Sequence, residues 1–383
     1  MFGMGTYKSS YIEFSSLCIS DSPQLLPTEI MDKDNNPPLI YYSPLHSAAL
    51  NGDNIKLESL LKQGLDIENW FSTHKRTPLH YAAQEGHTST AWLLLKNGAS
   101  TEAMDKENSI PLHLAVRGGY TGTVELLIRQ GSPIEAVDKD DNTPLHLAVR
   151  GGHMGIMELL LRKGAPIEAI EKGNKTPLHL AVQSGQTCMV ELLLRKGAPI
   201  EAMDKENTAP LHLAAGDGYT SIVELLLRKG APIEAIDKDN NTPLHLASRS
   251  GHENTVKLLL GKGAEIEATD KDNNTPLQLA AKSGHTSVVE LLLARGAVIQ
   301  ATAKYNNTPL HLAAQNGNES VVELLLDKGA SVDASNTDNN YPVHLAVQNG
   351  HADVVKRLRH EGLRVLIENY VAERSGSAGN EQS

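Results

Sequence analysis

The sequence is poor in aromatic side chains. Its 383 residues include 3 Phe, 2 Trp and 10 Tyr, only 4% of the chain. Aromatic rings supply much of the buried area of ordinary cores. The two or three globular domains that this length suggests are therefore not the expectation, and the core has to be assembled from Leu, Ala, Val and Ile. Cysteine is nearly absent. Cys18 and Cys188 cannot form a disulfide framework and give no metal-binding spacing, which fits a reducing compartment. An excess of positive charge is also missing. Lys and Arg number 35 against 46 Asp and Glu, a net charge of −11, whereas a general binder of nucleic acid or anionic membrane carries a basic face. No apolar run approaches the roughly 18–20 residues that cross a bilayer. The stretch Met1–Ser20 contains Lys8 and Glu13 and lacks the unbroken apolar core of a secretory signal. Neither Phe2 nor the ending Asn380–Ser383 forms a lipidation box. These absences predict a soluble protein, cytoplasmic, nuclear or both, with no direct contact to nucleic acid or membrane.

What is present is a repeat. The tetrapeptide Thr77-Pro78-Leu79-His80 recurs with its first residue at Ser43, Ile110, Thr143, Thr176, Ala209, Thr242, Thr275, Thr308 and Tyr341. The spacing is 34 once and then 33 eight times. The string Glu158–Ala169 returns unchanged at Glu191–Ala202 and Glu224–Ala235. Ten repeats therefore fill residues 43–367, where an internal period of this length signals a stacked array.

Each repeat predicts two short helices and an extended finger. Thr143 is an N-cap followed by Pro144 at the first helical position. Leu145, Leu147 and Ala148 give the first helix its apolar face, and Gly151-Gly152 breaks it. Ile156, Met157 and Leu159–Leu161 form the second helix, which ends at a left-handed Gly164. Ile167–Ile170 then runs extended towards Thr176. Helices this short do not stand alone in water, so each pair must bury its Leu face against the next pair. Small residues such as Ala148, Ala181 and Ala214 permit close approach, which accounts for the scarcity of rings. At the ends, Arg357 and Arg359 replace the leucines of the preceding repeat, and Lys56 and Ser59 replace apolar residues of the first. These are the substitutions expected of capping repeats, so the array is expected to begin and end naturally there.

The T-P-L-H-x-A signature, the 33-residue period, the Gly152-His153, Gly251-His252 and Gly284-His285 pairs and the ELLL-x-x-GA run resemble the ankyrin repeat family. The resemblance covers about 85% of the chain. It implies an all-α solenoid of helix-turn-helix units with short β-hairpin fingers, whose fingers and first helices line a concave protein-binding surface. It implies no chemistry.

The residues that could carry chemistry read as structural. Nine of the 16 histidines occupy the fourth tetrapeptide position and five follow the inter-helix Gly. They step along the stack one per repeat instead of converging as a metal or catalytic site requires. They are expected to bridge loop backbone, and Gln278 at the same position fits, because an amide can replace a hydrogen-bonding imidazole but not a general base. Finger tips such as Asp138–Asn142 and Asp270–Asn274 interleave Lys with carboxylates, which argues against calcium and for a hairpin turn. Asn108, Asn174, Asn207, Asn240, Asn273, Asn306 and Asn339 stand where a positive-φ residue is needed. No phosphate loop, zinc spacing, nucleophile elbow or kinase signature occurs. The expectation is no enzyme, no cofactor and no metal.

Departures from the repeat point to partner binding. The first finger, Glu68–Arg76, replaces the acidic tip with Trp70, Phe71, His74, Lys75 and Arg76, residue types that dominate binding hot spots. At the ends of the first helices, Arg117, Arg150, Arg249 and Lys282 form a basic line on an acidic chain, which suggests an acidic peptide or helix as target. Residues 1–42 are expected to be poorly ordered, although Asp32–Asn36 resembles a stray finger and Leu26–Ile30 the opening of an F-box. Residues 368–383 are expected to form a disordered tail. The leading function is a monomeric adaptor or regulator, most concretely a transcription co-regulator that holds a transcription factor or another protein. The alternatives are a ubiquitin-ligase substrate adaptor and a host-targeting effector of an intracellular microbe.

Overall fold

The computed structural model describes residues 43–70 and 74–378, with the side chains of its last helix described through Val365. Among the described residues there are twenty α-helices, two per repeat, and no strand. In the repeat read above, the first helix spans Pro144–Arg150 and the second Met154–Arg162. Thr143 caps the first, accepting a hydrogen bond from the His146 amide. Gly164 follows the second with φ 88°, and the amide of Ala165 reaches back to the Leu160 carbonyl at 3.0 Å, which satisfies an orphan carbonyl of the last turn.

First helices stack on first helices of neighbouring repeats, second helices on second helices, and the two layers meet within each repeat. The core is one aliphatic cluster running through the array. Ala148, Ala181 and Ala214 are fully buried between the helices, the close approach that a larger side chain would block. Removing one of the large core leucines, such as Leu160 or Leu193, leaves a cavity worth about 2–5 kcal/mol.

The fingers are hairpin turns. From the second finger on, the residue five before the tetrapeptide start closes the loop: the Asp105 amide donates to the Ser109 carbonyl at 3.0 Å, and the Asp138 amide to the Asn142 carbonyl at 3.1 Å. All seven asparagines expected at positive φ adopt it, joined by Lys75, Asp141 and Tyr305. Each finger hands one backbone bond to its predecessor, as from Lys139 N–H to the Glu107 carbonyl at 2.8 Å. One bond per finger is too few to make a ladder, which is why the hairpins carry no strand.

The last helix spans Ala352–Ala378 and passes through Gly362 and beyond 367. Gly362 aligns with glycines such as Gly329 that end the other second helices at positive φ. In repeats two to nine the next residue is a buried Ala or Ser, as at Ala330, 8% exposed; here it is Leu363, 61% exposed, although Gly64 ends the second helix of the first repeat ahead of Leu65, 42% exposed. A glycine permits a helix to stop without requiring it. Arg357 reaches back to Asp327 at 3.3 Å, and Arg359 is exposed, the arrangement expected of a cap.

Candidate functional site

The tetrapeptide histidines are structural. The Nδ1 of His80 accepts the Thr77 amide proton at 3.1 Å, and its Nε2 donates to the Ser109 carbonyl of the next repeat at 3.0 Å. His146, His179, His245 and His311 repeat this bridge. Burial holds these rings neutral, lowering the pKa of His80 to about 4. Gln278 makes the same connections with an amide: its Oε1 accepts from Thr275 N–H at 2.8 Å, and its Nε2 donates to Asn307 and Ala301 carbonyls at 2.9 and 3.0 Å. The second histidine set points the other way. His87, His252, His285 and His351 donate to carbonyls at the end of the preceding first helix, at 2.9–3.1 Å.

The finger carboxylates divide by position. The first is buried and serves the turn: Asp204 Oδ1 accepts from the Glu206 and Thr208 amides at 2.8 and 2.9 Å. The lysine that follows reaches the preceding finger, as Lys271 does to Asp239 at 2.6 Å and Lys304 to Asp272 at 3.2 Å. Among the described residues no group of three or more His, Cys, Asp or Glu is placed to hold a metal ion, and no helix is long and apolar enough to cross a membrane.

The residues singled out for partner binding separate into three kinds. Arg76 is occupied. Its Nε lies 3.1 Å from the fully buried Asp105 carboxylate, its guanidinium donates to Gln84 Oε1 at 2.6 Å, and its side chain is only 19% exposed. Arg76 fastens the first finger to the second. Arg117 is partly occupied, 3.5 Å from Asp138 with half its side chain exposed. Arg249 donates to Asn241 at 2.6 Å. Arg150 and Lys282 are exposed and make no ion pair among the described residues. Trp70 is 59% exposed, with the Lys75 ammonium 5.6 Å from its ring, a cation–π distance. Phe71 lies outside the described residues, as do Leu26–Ile30 and Asp32–Asn36.

Four exposed rings were not singled out, Trp92, Tyr120, Tyr305 and Tyr341. Trp92 is 49% exposed with Lys96 at 5.0 Å from its ring. Tyr305 is 57% exposed at a finger tip with φ 63°, a conformation that costs a bulky residue energy. The signal for Trp92 was legible, because the aligned residue is Glu in most other repeats, as at Glu125 and Glu158.

Comparison with known proteins decides the family. Ankyrin repeats, described in units of three copies, match residues 23–105, 112–204, 189–270, 211–303, 264–336 and 300–369. The chain belongs to the ankyrin repeat family. The first match begins ahead of Ser43 and takes in Asp32–Asn36. The ankyrin repeat domain of Bcl-3, described as a unique member of the IkappaB protein family, is a structural neighbour, 31% identical with a TM-score of 0.52, covering 57% of this chain and 99% of that domain. The ADP-ribosylation factor GTPase-activating protein AGD2 of Arabidopsis thaliana is 44% identical over 63 residues, which is 16% of this chain. The chain spans 8% of that relative's length. Ankyrin arrays are typically protein–protein interaction modules, and this chain carries such an array over most of its length.

Proposed function

We propose that this chain is a non-enzymatic regulator that holds a protein partner on the face made by its fingers and first-helix ends. One observation carries the reading. The groups that could do chemistry, the tetrapeptide histidines other than the exposed His344 and the first finger carboxylates, are buried or partly buried and spent on backbone hydrogen bonds. Variation between repeats includes exposed side chains on that face, among them Trp70, Lys75, Arg150, Arg249 and Lys282. Their charge suits an acidic segment of the partner. Transcription co-regulation is the most concrete form of the role, and the likeness to the Bcl-3 domain is compatible with a regulator. A monomer in the cytoplasm or nucleus is the corresponding state.

The test is affinity capture of the full chain with mass spectrometry, beside the variant Arg150→Glu, Arg249→Glu, Lys282→Glu. The partner set should shrink in the variant, with at least a tenfold loss of affinity for the principal partner, as expected when several interface charges are reversed. An identical set at identical affinity would remove this face from the function.

A further inference from the structure

One position in each repeat lies 27 residues after the start of the tetrapeptide. In the first six repeats it holds Trp70, Met104, Val137, Ile170, Met203 and Ile236. All six are exposed, from 40% at Met203 to 59% at Trp70 and Met104. In the next three repeats the position holds Thr269, Thr302 and Ser335, which are exposed as well. The finger therefore closes around a hydroxyl residue as readily as around an apolar one, and packing does not explain the first six. From Met104 to Ile236 the residue before is a partly buried Ala, and the residue after is the acidic residue that closes the turn, so burial alternates along the chain and this side chain faces solvent. Single exposed apolar residues are ordinary. One per repeat, six times in succession, is a stripe, and contiguous apolar patches mark interaction surfaces.

The stripe has a period. Packed helices lie about 8–10 Å apart, so neighbouring stripe residues recur at about that distance. A polyproline II strand has three residues per turn and rises about 3.1 Å per residue. Every third side chain of such a ligand stays in step over about sixteen residues. A helix would set its adjoining rows over the charged flanks. Those flanks are unequal. Lys139, Lys172, Lys238 and Lys271 are each paired with a carboxylate of the preceding finger. Glu102, Glu135, Glu168 and Glu201, just before the stripe residues, are exposed and make no ion pair among the described residues. Lys75, Lys106 and Lys205 are exposed beside the stripe and make no ion pair among the described residues either, so the unpaired charge is mixed, with carboxylates in excess.

We infer that the finger stripe from Trp70 to Ile236 binds an extended, basic segment of a protein partner that presents an apolar side chain at every third residue. This rests on the reading of the chain as a protein-binding module and adds a second contact of opposite charge preference to the first-helix line. The experiment uses the full chain and a labelled peptide of five Leu-Pro-Lys units closed by Leu, read by fluorescence anisotropy. Two control peptides replace Lys by Glu or move Leu to every second position. The variant Met104→Thr, Ile170→Thr, Ile236→Thr installs the residue native at Thr269, and its thermal transition checks the fold. Saturable binding of the Lys peptide is expected, at least about tenfold weaker in the variant and for both controls. Absence of saturable binding, equal affinity in the folded variant, or equal affinity of either control overturns the proposal. Sedimentation velocity adds one more outcome: self-association of the natural chain that the variant abolishes would assign the stripe to a second copy and overturn it too. Capture of cellular partners, measured separately, tells failure of the stripe from failure of the module.

Discussion

Replacing His80 by Gln should make the array less sensitive to acid without weakening it at neutral pH. The imidazole must be neutral to accept at Nδ1 from Thr77 N–H and donate from Nε2 to the Ser109 carbonyl. Its pKa falls from 6.5 to about 4 because burial penalises the charged ring. The folded value is depressed, so below pH 6.5 the unfolded chain takes up a proton that the fold refuses, and stability is lost as pH falls towards 4. Between pH 7 and pH 5 this one group multiplies the unfolding constant by about twentyfold, close to 2 kcal/mol. Gln278 shows that an amide can make the same bridge and has nothing to titrate. His80→Gln should therefore stay within about 1 kcal/mol of the natural chain at pH 7. It should lose about 2 kcal/mol less on going to pH 5. Urea unfolding followed by far-UV circular dichroism at the two pH values measures both. The carboxylates that titrate in this range are common to both proteins, so the difference isolates His80. An unchanged pH 7 to pH 5 loss would refute the neutral bridge. Collapse of the variant at pH 7 would refute the equivalence of amide and imidazole.

Asp204→Ala leaves two finger amides without their acceptor and should cost about 1–3 kcal/mol, measured by thermal unfolding; a loss below the error would mean that the turn does not need the carboxylate. Arg76→Ala removes the cation from the buried Asp105 carboxylate, which keeps the Glu107 and Ser109 amides, and should destabilise by about 1–3 kcal/mol, whereas Arg150→Ala, exposed and unpaired, should stay within about 0.5 kcal/mol, both read by urea unfolding. Gly86 has φ +73°, and an added Cβ would lie 2.3 Å from the Tyr120 ring, whereas Gly98 has φ +94° and open space around it. Gly98→Ala should cost about 1 kcal/mol of backbone strain and Gly86→Ala distinctly more; equal transition temperatures would show that the ring moves aside freely.

Much of the fold was legible because its determinants are local. Thr143-Pro144 caps a helix and Gly164 ends one through bonds within a few residues, and the positive φ of Asn108 or Asn240 follows from the turn. The role of the histidines was legible for a related reason, since a residue repeated once per unit with one Gln replacement cannot be a converging site. Gly362 shows where local reading stops. It matches the glycines that end other helices, yet the helix continues through it, because a glycine permits a helix to end without requiring it.

The candidate site was legible only as a set of departures from the repeat. Arg76 and Arg150 look alike in sequence: each is a cation close to the first-helix and finger region. Arg76 is bound to Asp105, 29 residues away, and Arg150 is free. The first finger aspartate and the acid two residues later also look alike, and one is buried under backbone amides while the other meets a lysine of the next repeat. By itself, the sequence determined the number of repeats, the helices, their caps and the absence of a large aromatic core, because these depend on bonds and packing inside one 33-residue unit. Only the tertiary structure decided which charges are spent, which rings are exposed and that the six apolar finger side chains face solvent. Those outcomes depend on contacts between units, where partners stand about one full repeat apart and stacking alone brings them together.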